Sequence, residues 1–202
     1  MSRKSYGTSH LSLIDRWGTW LSRRAINRSL GDRSGISVLE IGCGYQARNL
    51  ISIREHAAKM VGCDFNLSPD LKAVPKFEAL EMPVESALPV LKGRQFDVIL
   101  LISVLEHLMD PLETLMACYQ MLNHAGTLLV SVPTWRGKYF LELTSFRLNL
   151  SQTGAKEMDD HKMYYDKRDL WPLLVKAGFK PSGIDMRYYK FGLNLYAQVR
   201  KV

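Results

Sequence analysis

Apolar residues in this chain fall into short dense runs, and the stretches between them carry helical spacing or turn residues. Runs at 36–41, 59–64, 77–81, 96–102 and 127–132 read as buried strands. Helical spacing covers 10–30 and about 47–56, and a short crossover lies around 69–74. A further helix has a clear start, with Asp110 as cap, Pro111 in the first turn and Glu113 completing a capping-box arrangement; Gly126 is expected to end it. A last helix is predicted from Asp166 to Gly178. Two closing strands, about 181–189 and 193–200, are joined by Lys190-Phe191-Gly192 and form an antiparallel hairpin. Strands alternating with helices predict an α/β fold around a mainly parallel sheet.

The first strand ends in candidate chemistry. Val38-Leu39-Glu40-Ile41-Gly42-Cys43-Gly44 runs from a strand through a carboxylate into a glycine turn, and Asp64 ends the second strand twenty residues after Gly44. Such a layout lays a nucleotide-type cofactor across the carboxyl ends of two parallel strands. Glycines admit the ligand close to backbone, and Asp64 can accept hydrogen bonds from both ribose hydroxyls. Gly42-Cys43-Gly44-Tyr45-Gln46-Ala47 also satisfies the dinucleotide pattern, so the glycines alone do not choose a ligand. Glu40 does. A pyrophosphate at this turn needs bare N–H groups, which a carboxylate opposes; S-adenosylmethionine (SAM) brings an ammonium and a sulfonium instead. A glycine turn without any ligand is the plain alternative.

Phe96-Asp97-Val98-Ile99 through Leu105-Glu106-His107-Leu108-Met109-Asp110-Pro111 resembles the fourth-strand segment of the class I SAM-dependent methyltransferases, those acting on small molecules or saccharides. Leu122 to Pro133 is similar to that family's fifth strand, and Asp166 to Phe179 to its last helix. Together these matches span about 36–199 in the family's order. The resemblance implies a Rossmann-like, doubly wound seven-stranded sheet, mostly parallel with one antiparallel strand near the C-terminus.

It also implies roles for single residues. Glu40, Gly42 and Gly44 would line the methionine end of SAM, Asp64 would take the ribose, and Phe65 would pack on the adenine. Val84 and Glu85 stand where the family usually has Asp-Ala beside the adenine, and Gln46 stands where many members have a third glycine. Ile102 and Ser103 would bring strand-four backbone near the sulfonium. Methyl transfer asks mainly for in-line positioning, plus a base when a hydroxyl is methylated. His107 and His161 are the candidate catalytic bases, set against structural roles for the Glu106-His107 pair and for a surface histidine at 161. No metal site is expected.

Composition bounds the rest. The chain has 202 residues and 47% hydrophobic content, which suits one full-sized core. No apolar run suits a bilayer span or a signal region. Cys43, Cys63 and Cys118 lack metal spacing and point to a reducing, cytoplasmic setting. The net charge is +7, and much of the excess lies in residues 1–33, where Arg16, Arg23, Arg24 and Arg28 interleave with an apolar stripe of Leu11, Ile14, Trp17, Trp20, Leu21 and Ile26. This segment is expected either to lid the cofactor site or to touch anionic lipid or a carrier-linked glycan peripherally. Nothing resembles an appended nucleic-acid module. Residues 34–202 would form the SAM-binding domain, with an acceptor-site insertion at about 134–165 whose Trp135, Arg136, Lys138, Tyr139, Phe140, Phe146 and Arg147 suit a glycan, a phosphorylated sugar or a phenolic ring. The expected function is methyl transfer to such an acceptor at oxygen. Against it stand a catalytically inactive SAM-binding regulator and an NAD-dependent enzyme.

Overall fold

The computed structural model describes residues 13–142 and 161–202, with side chains for 16–140 and 161–202. Leu11, Ile14, Phe146, Arg147 and most of the predicted insertion lie outside the described side chains. Five parallel strands build most of the sheet: β1 (Ile36–Ile41), β2 (Ala57–Asp64), β3 (Phe77–Glu81), β4 (Phe96–Ile102) and β5 (Leu122–Pro133). β6 (Ile184–Tyr189) and β7 (Asn194–Arg200) close it, in the order β3-β2-β1-β4-β5-β7-β6. β7 runs antiparallel to both of its neighbours. The expected single reversed strand is therefore present.

Side chains alternate across the sheet, and both faces are dry, as a parallel sheet requires. On one face Val38, Met60, Val98, Leu100, Leu129 and Tyr196 meet α1 (Leu13–Leu30) and α2 (Arg48–Ser52) through Ile26, Leu30 and Leu50. On the other, Leu39, Ile41, Ile99 and Leu101 meet α3 (Val84–Leu91), α4 (Pro111–Met121) and α6 (Lys167–Lys176) through Leu91, Leu115, Leu170 and Leu174. A shorter helix, α5 (Trp135–Glu142), follows β5. Among the described residues no helix is long and apolar enough to cross a membrane.

Several boundaries differ from the sequence reading, each for a local reason. α2 covers only 48–52: Ala47 at its start holds a left-handed φ of 45° with no side-chain cap, Ile53 at its end leaves helical geometry at φ −114° and ψ 13°, and turns carry the chain on to His56. α3 was not foreseen, since Pro83 precedes it and Pro89 sits inside it. Burying Ala87 and Leu91 offsets the hydrogen bond that Pro89 cannot donate. α4 starts as expected, with Asp110 accepting from the Glu113 N–H at 3.0 Å. It stops at Met121 rather than near Gly126 because β5 already begins at Leu122, paired with Phe96, and Lys201 Nζ ties the junction by donating to Tyr119 O and Leu122 O, each at 2.7 Å.

The N-terminal stripe needs a larger correction. α1 packs through Ser22, Ile26 and Leu30, four residues apart. Trp17 and Trp20 lie off that seam and are each 46% exposed. Ser29 and Tyr196 hydroxyls 3.0 Å apart fix the helix to β7.

Candidate cofactor and acceptor site

The strand order reverses between β1 and β4, so a crevice opens at the carboxyl ends of β1, β2 and β4. Gly42 N–H and Cys43 N–H both donate to Cys63 O, at 2.8 and 3.1 Å, folding the glycine turn back over the end of β2. Gly44 N–H then donates to Asp64 Oδ2 at 2.8 Å. Both glycines hold a φ of 72°, which disfavours any side chain. At Gly42 a Cβ would also stand 2.5 Å from Val104 Cγ2, so this glycine is demanded by protein packing as well as by the turn.

Glu40 is fully buried beneath that turn. Its Oε1 accepts from Asn49 Nδ2 at 2.7 Å, whereas Oε2 has no hydrogen-bond partner among the described residues. Burial pushes the carboxyl up to about 8; the Asn49 amide and Leu50 backbone oppose this and Asp64 adds to it. Asn49, which sequence reasoning missed, belongs to the same polar cluster, and its buried Oδ1 also has no partner among the described residues. A polar residue spaced to face Glu40 from the next helix was its only signal.

The other cofactor candidates stand around the same crevice. Phe65 follows Asp64 and is 39% exposed. Met82 N–H donates to Asp64 O at 2.9 Å and holds the start of α3 at the end of β2, with Val84 half-buried and Glu85 exposed there. Ile102 is half-buried. Ser103 is exposed, with a strained φ of 57° and its N–H fixed to Ser131 O at 2.8 Å.

Past Ser103, Val104 leans on Gly42, and a single turn, Leu105–His107, follows. The segment from 161 docks on that turn. Lys162 N–H and Met163 N–H donate to Glu106 O at 2.6 and 3.4 Å, and Tyr165 Oη–H to Leu105 O at 3.3 Å. His161 is thereby brought to His107, with ring centroids 4.8 Å apart at 60°. The Tyr164 hydroxyl lies 3.1 Å from His161 Nδ1, and Trp135 packs on Tyr164. Glu106 is buried beside them, and burial pushes its carboxyl up to about 8 against its own backbone N–H and the charge of Lys190. The two candidate bases are thus neighbours. Tyr164, the residue between them and Trp135, gave no sequence signal beyond its place in an aromatic pair.

A family model described as a methyltransferase domain matches residues 14–182. The chain belongs to the class I SAM-dependent methyltransferases. A curated relative, the ubiquinone biosynthesis O-methyltransferase of Cereibacter sphaeroides, is 28% identical over 157 residues, or 73% of this chain and 61% of that protein. The chain spans about half to three fifths of the length of such curated relatives. Among solved structures, a SAM-dependent methyltransferase from Archaeoglobus fulgidus superimposes with a TM-score of 0.64 at 18% identity, covering 92% of this chain and 94% of that one. The N-methyltransferase NodS from Bradyrhizobium japonicum, in complex with S-adenosyl-L-homocysteine, gives 0.59 at 15% identity, covering 91% and 86%. At such identities the structures show the shared fold.

SAM is this family's cofactor, and the crevice fits it. A buried carboxylate oxygen without a partner, Glu40 Oε2, matches an ammonium and opposes a phosphate. Gly42 and Gly44 put no side chain into the turn, and Asp64 ends β2 beside it.

Proposed function

We propose that this methyltransferase acts on a hydroxyl of a small molecule, with Glu40, the Gly42–Gly44 turn, Asp64, Phe65, Val84, Glu85, Ile102 and Ser103 holding SAM, and with His107 and His161 serving the acceptor. The observation that carries this reading is the pair of imidazoles with ring centroids 4.8 Å apart, His107 on the turn that follows Ser103 and His161 on the segment docked against it. When bound, SAM supplies a methyl carbon on a positive sulfur, whose C–S bond breaks with both electrons kept by sulfur. Glu40 would hold the ammonium and Asp64 the ribose, leaving the methyl group toward the end of β4. The acceptor's oxygen gains the methyl and loses its proton to a ring nitrogen of His107 or His161. A heavier demand on the protein is alignment, which the docked 161–165 segment supplies.

Oxygen as the methylated atom is supported by the curated relative's name, an O-methyltransferase. Trp135 and Tyr164, with ring centroids 5.7 Å apart, favour a flat ring or the apolar face of a sugar as the acceptor. Half-exposed Trp17 and Trp20 among arginines support an acceptor met at an anionic surface. The test is transfer of a labelled methyl from SAM to panels of phenols, sugars and lipid-linked saccharides, with calorimetric titrations of SAM and NAD beside it. Transfer to a hydroxyl acceptor supports the proposal. SAM binding without transfer to any acceptor supports the regulatory reading, and NAD binding in place of SAM overturns the cofactor assignment.

A further inference from the structure

The acceptor end of the crevice holds a carboxylate and two imidazoles drawn from two distant parts of the chain. One donor atom each from Glu106, His107 and His161 lies within 4.8 Å of the other two. We propose that these three residues bind one divalent transition-metal ion, of which zinc is the type.

The chemistry of the donor set is the first support. Two imidazoles and a carboxylate form a set that first-row divalent ions favour over magnesium or calcium. Around an ion with bonds of about 2.0–2.2 Å, neighbouring donors stand roughly 3–3.5 Å apart. The donors must therefore close by about an ångström, which rotation of the half-buried imidazoles provides.

The second support is independent. Glu106 is 1% exposed, and its Oε2 has no hydrogen-bond partner among the described residues. Lys190 acts on this carboxyl only through space, so a buried oxygen without a hydrogen-bond partner is left for a cation to meet. A third support is the holding of His161. Backbone N–H groups of Lys162 and Met163 clamp this segment on Glu106 O, and the Tyr164 hydroxyl at 3.1 Å from His161 Nδ1 orients the ring as an outer-shell partner of a metal ligand does. None of these contacts is needed to close the sheet. Together they align three donors.

Binding of the ion stands on the geometry alone, whereas its catalytic use rests on the O-methyl-transfer reading. Three protein donors leave coordination positions open for oxygen. With an ion held there, it would take the acceptor's oxygen and ease loss of the O–H proton to water. His107 and His161 would then act as its ligands, whereas in the metal-free protein they would accept that proton themselves. The favoured acceptors are those whose hydroxyl can ligate, and a vicinal pair of hydroxyls does so best.

The full chain, stripped with EDTA, is titrated with Co²⁺ while visible absorption is followed, and with Zn²⁺ by equilibrium dialysis. We expect one equivalent of each ion to bind and Co²⁺ to give ligand-field bands. Glu106→Gln and His161→Gln should each weaken binding at least tenfold, and His124→Gln, at an exposed histidine outside the cluster, should leave it unchanged. SAM affinity measured on the same samples reports whether each variant is folded; where one is not, the wild-type titration decides. Failure of the wild-type protein to bind either ion stoichiometrically, or unchanged binding in a folded His161→Gln, overturns the site. Metal binding with no methyl transfer to any hydroxyl would leave the site standing and sink the O-methyl-transfer reading.

Discussion

The backbone N–H of Gly44 donates to Asp64 Oδ2 at 2.8 Å, so the carboxylate that ends β2 also holds the turn that ends β1. Asp64 therefore has a structural task beside the ribose contact proposed for it. Replacing it with alanine removes the turn's anchor along with the charge-assisted bonds proposed to the cofactor. SAM affinity should fall by about 2–3 kcal/mol in Asp64→Ala, measured by calorimetry. Asp64→Asn keeps an acceptor for Gly44 and should lose less. Equal affinity in wild type and Asp64→Ala would remove this strand end from the cofactor site.

Glu40 predicts a proton release. Its carboxyl sits at about 8 in the folded protein against an ordinary 4.5, faced by Asp64, the Cys43 thiol and the neutral Asn49 amide. Between those values the folded chain holds a proton that the unfolded chain has lost, so this group's share of stability falls as pH rises from about 4.5 to about 8. The slope of Tm over that window should be shallower in Glu40→Gln than in wild type. An ammonium favours the ionised form, so SAM binding near pH 6.5 should expel up to about one proton. Calorimetry in two buffers of different ionisation enthalpy measures this, and Glu40→Gln should bind SAM more weakly with less release. Identical proton release in the two proteins would leave Glu40 without the ammonium.

Gly42 and Val104 form a steric pair across the crevice floor. A Cβ at Gly42 would meet Val104 Cγ2 at 2.5 Å, and the φ of 72° adds strain. Gly42→Ala should lower unfolding free energy by about 1–3 kcal/mol, read from urea denaturation. Adding Val104→Ala should return part of that loss relative to Val104→Ala alone. Strict additivity of the two changes would mean that backbone strain, not the contact, makes this position glycine.

Much of this architecture was legible because its signals are local. β1, β3 and β4 begin and end where their apolar runs do, and Asp166 caps α6 in a capping box with Asp169. Glu40 and Asp64 were readable because strand ends in a parallel sheet share one edge. What escaped depended on contacts between distant residues. The early end of α4 comes from the pairing of Leu122 with Phe96 and is tied by Lys201, eighty residues on. The eight-residue α3 survives an internal proline through burial that no window shows. In α1 the seam turned on Ser22, a polar residue that packs because Tyr189 and the Gly18 carbonyl take its hydroxyl. The meeting of His107 and His161 needed the docking of a segment more than fifty residues downstream.

The two histidines should separate by function from the residues that bind SAM. His107→Ala or His161→Ala should cut turnover by about 10²–10⁴-fold while SAM affinity stays near wild type. The comparison is single-turnover methyl transfer beside calorimetry on the same preparations. A His107→Ala protein that loses SAM binding or thermal stability would mark the residue as a support for the Leu105–His107 turn. Undiminished turnover in both variants would leave alignment as the whole of the protein's contribution.

The exposed tryptophans set the last expectation. Trp17 stacks on Phe191 with centroids 5.5 Å apart, Phe191 is itself 82% exposed, and the Arg24 guanidinium lies 5.4 Å over the Trp20 ring. Arg16, Arg23 and Arg48 share a cleft of about 720 Å³ with both tryptophans and with Gln46 of the glycine turn. Aromatic rings beside arginines at the rim of a cofactor crevice suit an anionic surface better than they suit a closed lid, whose tryptophans would be dry. Tryptophan emission should therefore be that of partly wet indoles in buffer. It should shift to the blue with vesicles containing anionic lipid and not with zwitterionic ones. Salt should reverse the shift, and Arg16→Glu with Arg24→Glu should prevent it without lowering SAM affinity. Emission already blue and poorly quenched before any lipid is added, with SAM retention lost in Trp17→Ala, would instead make α1 a lid.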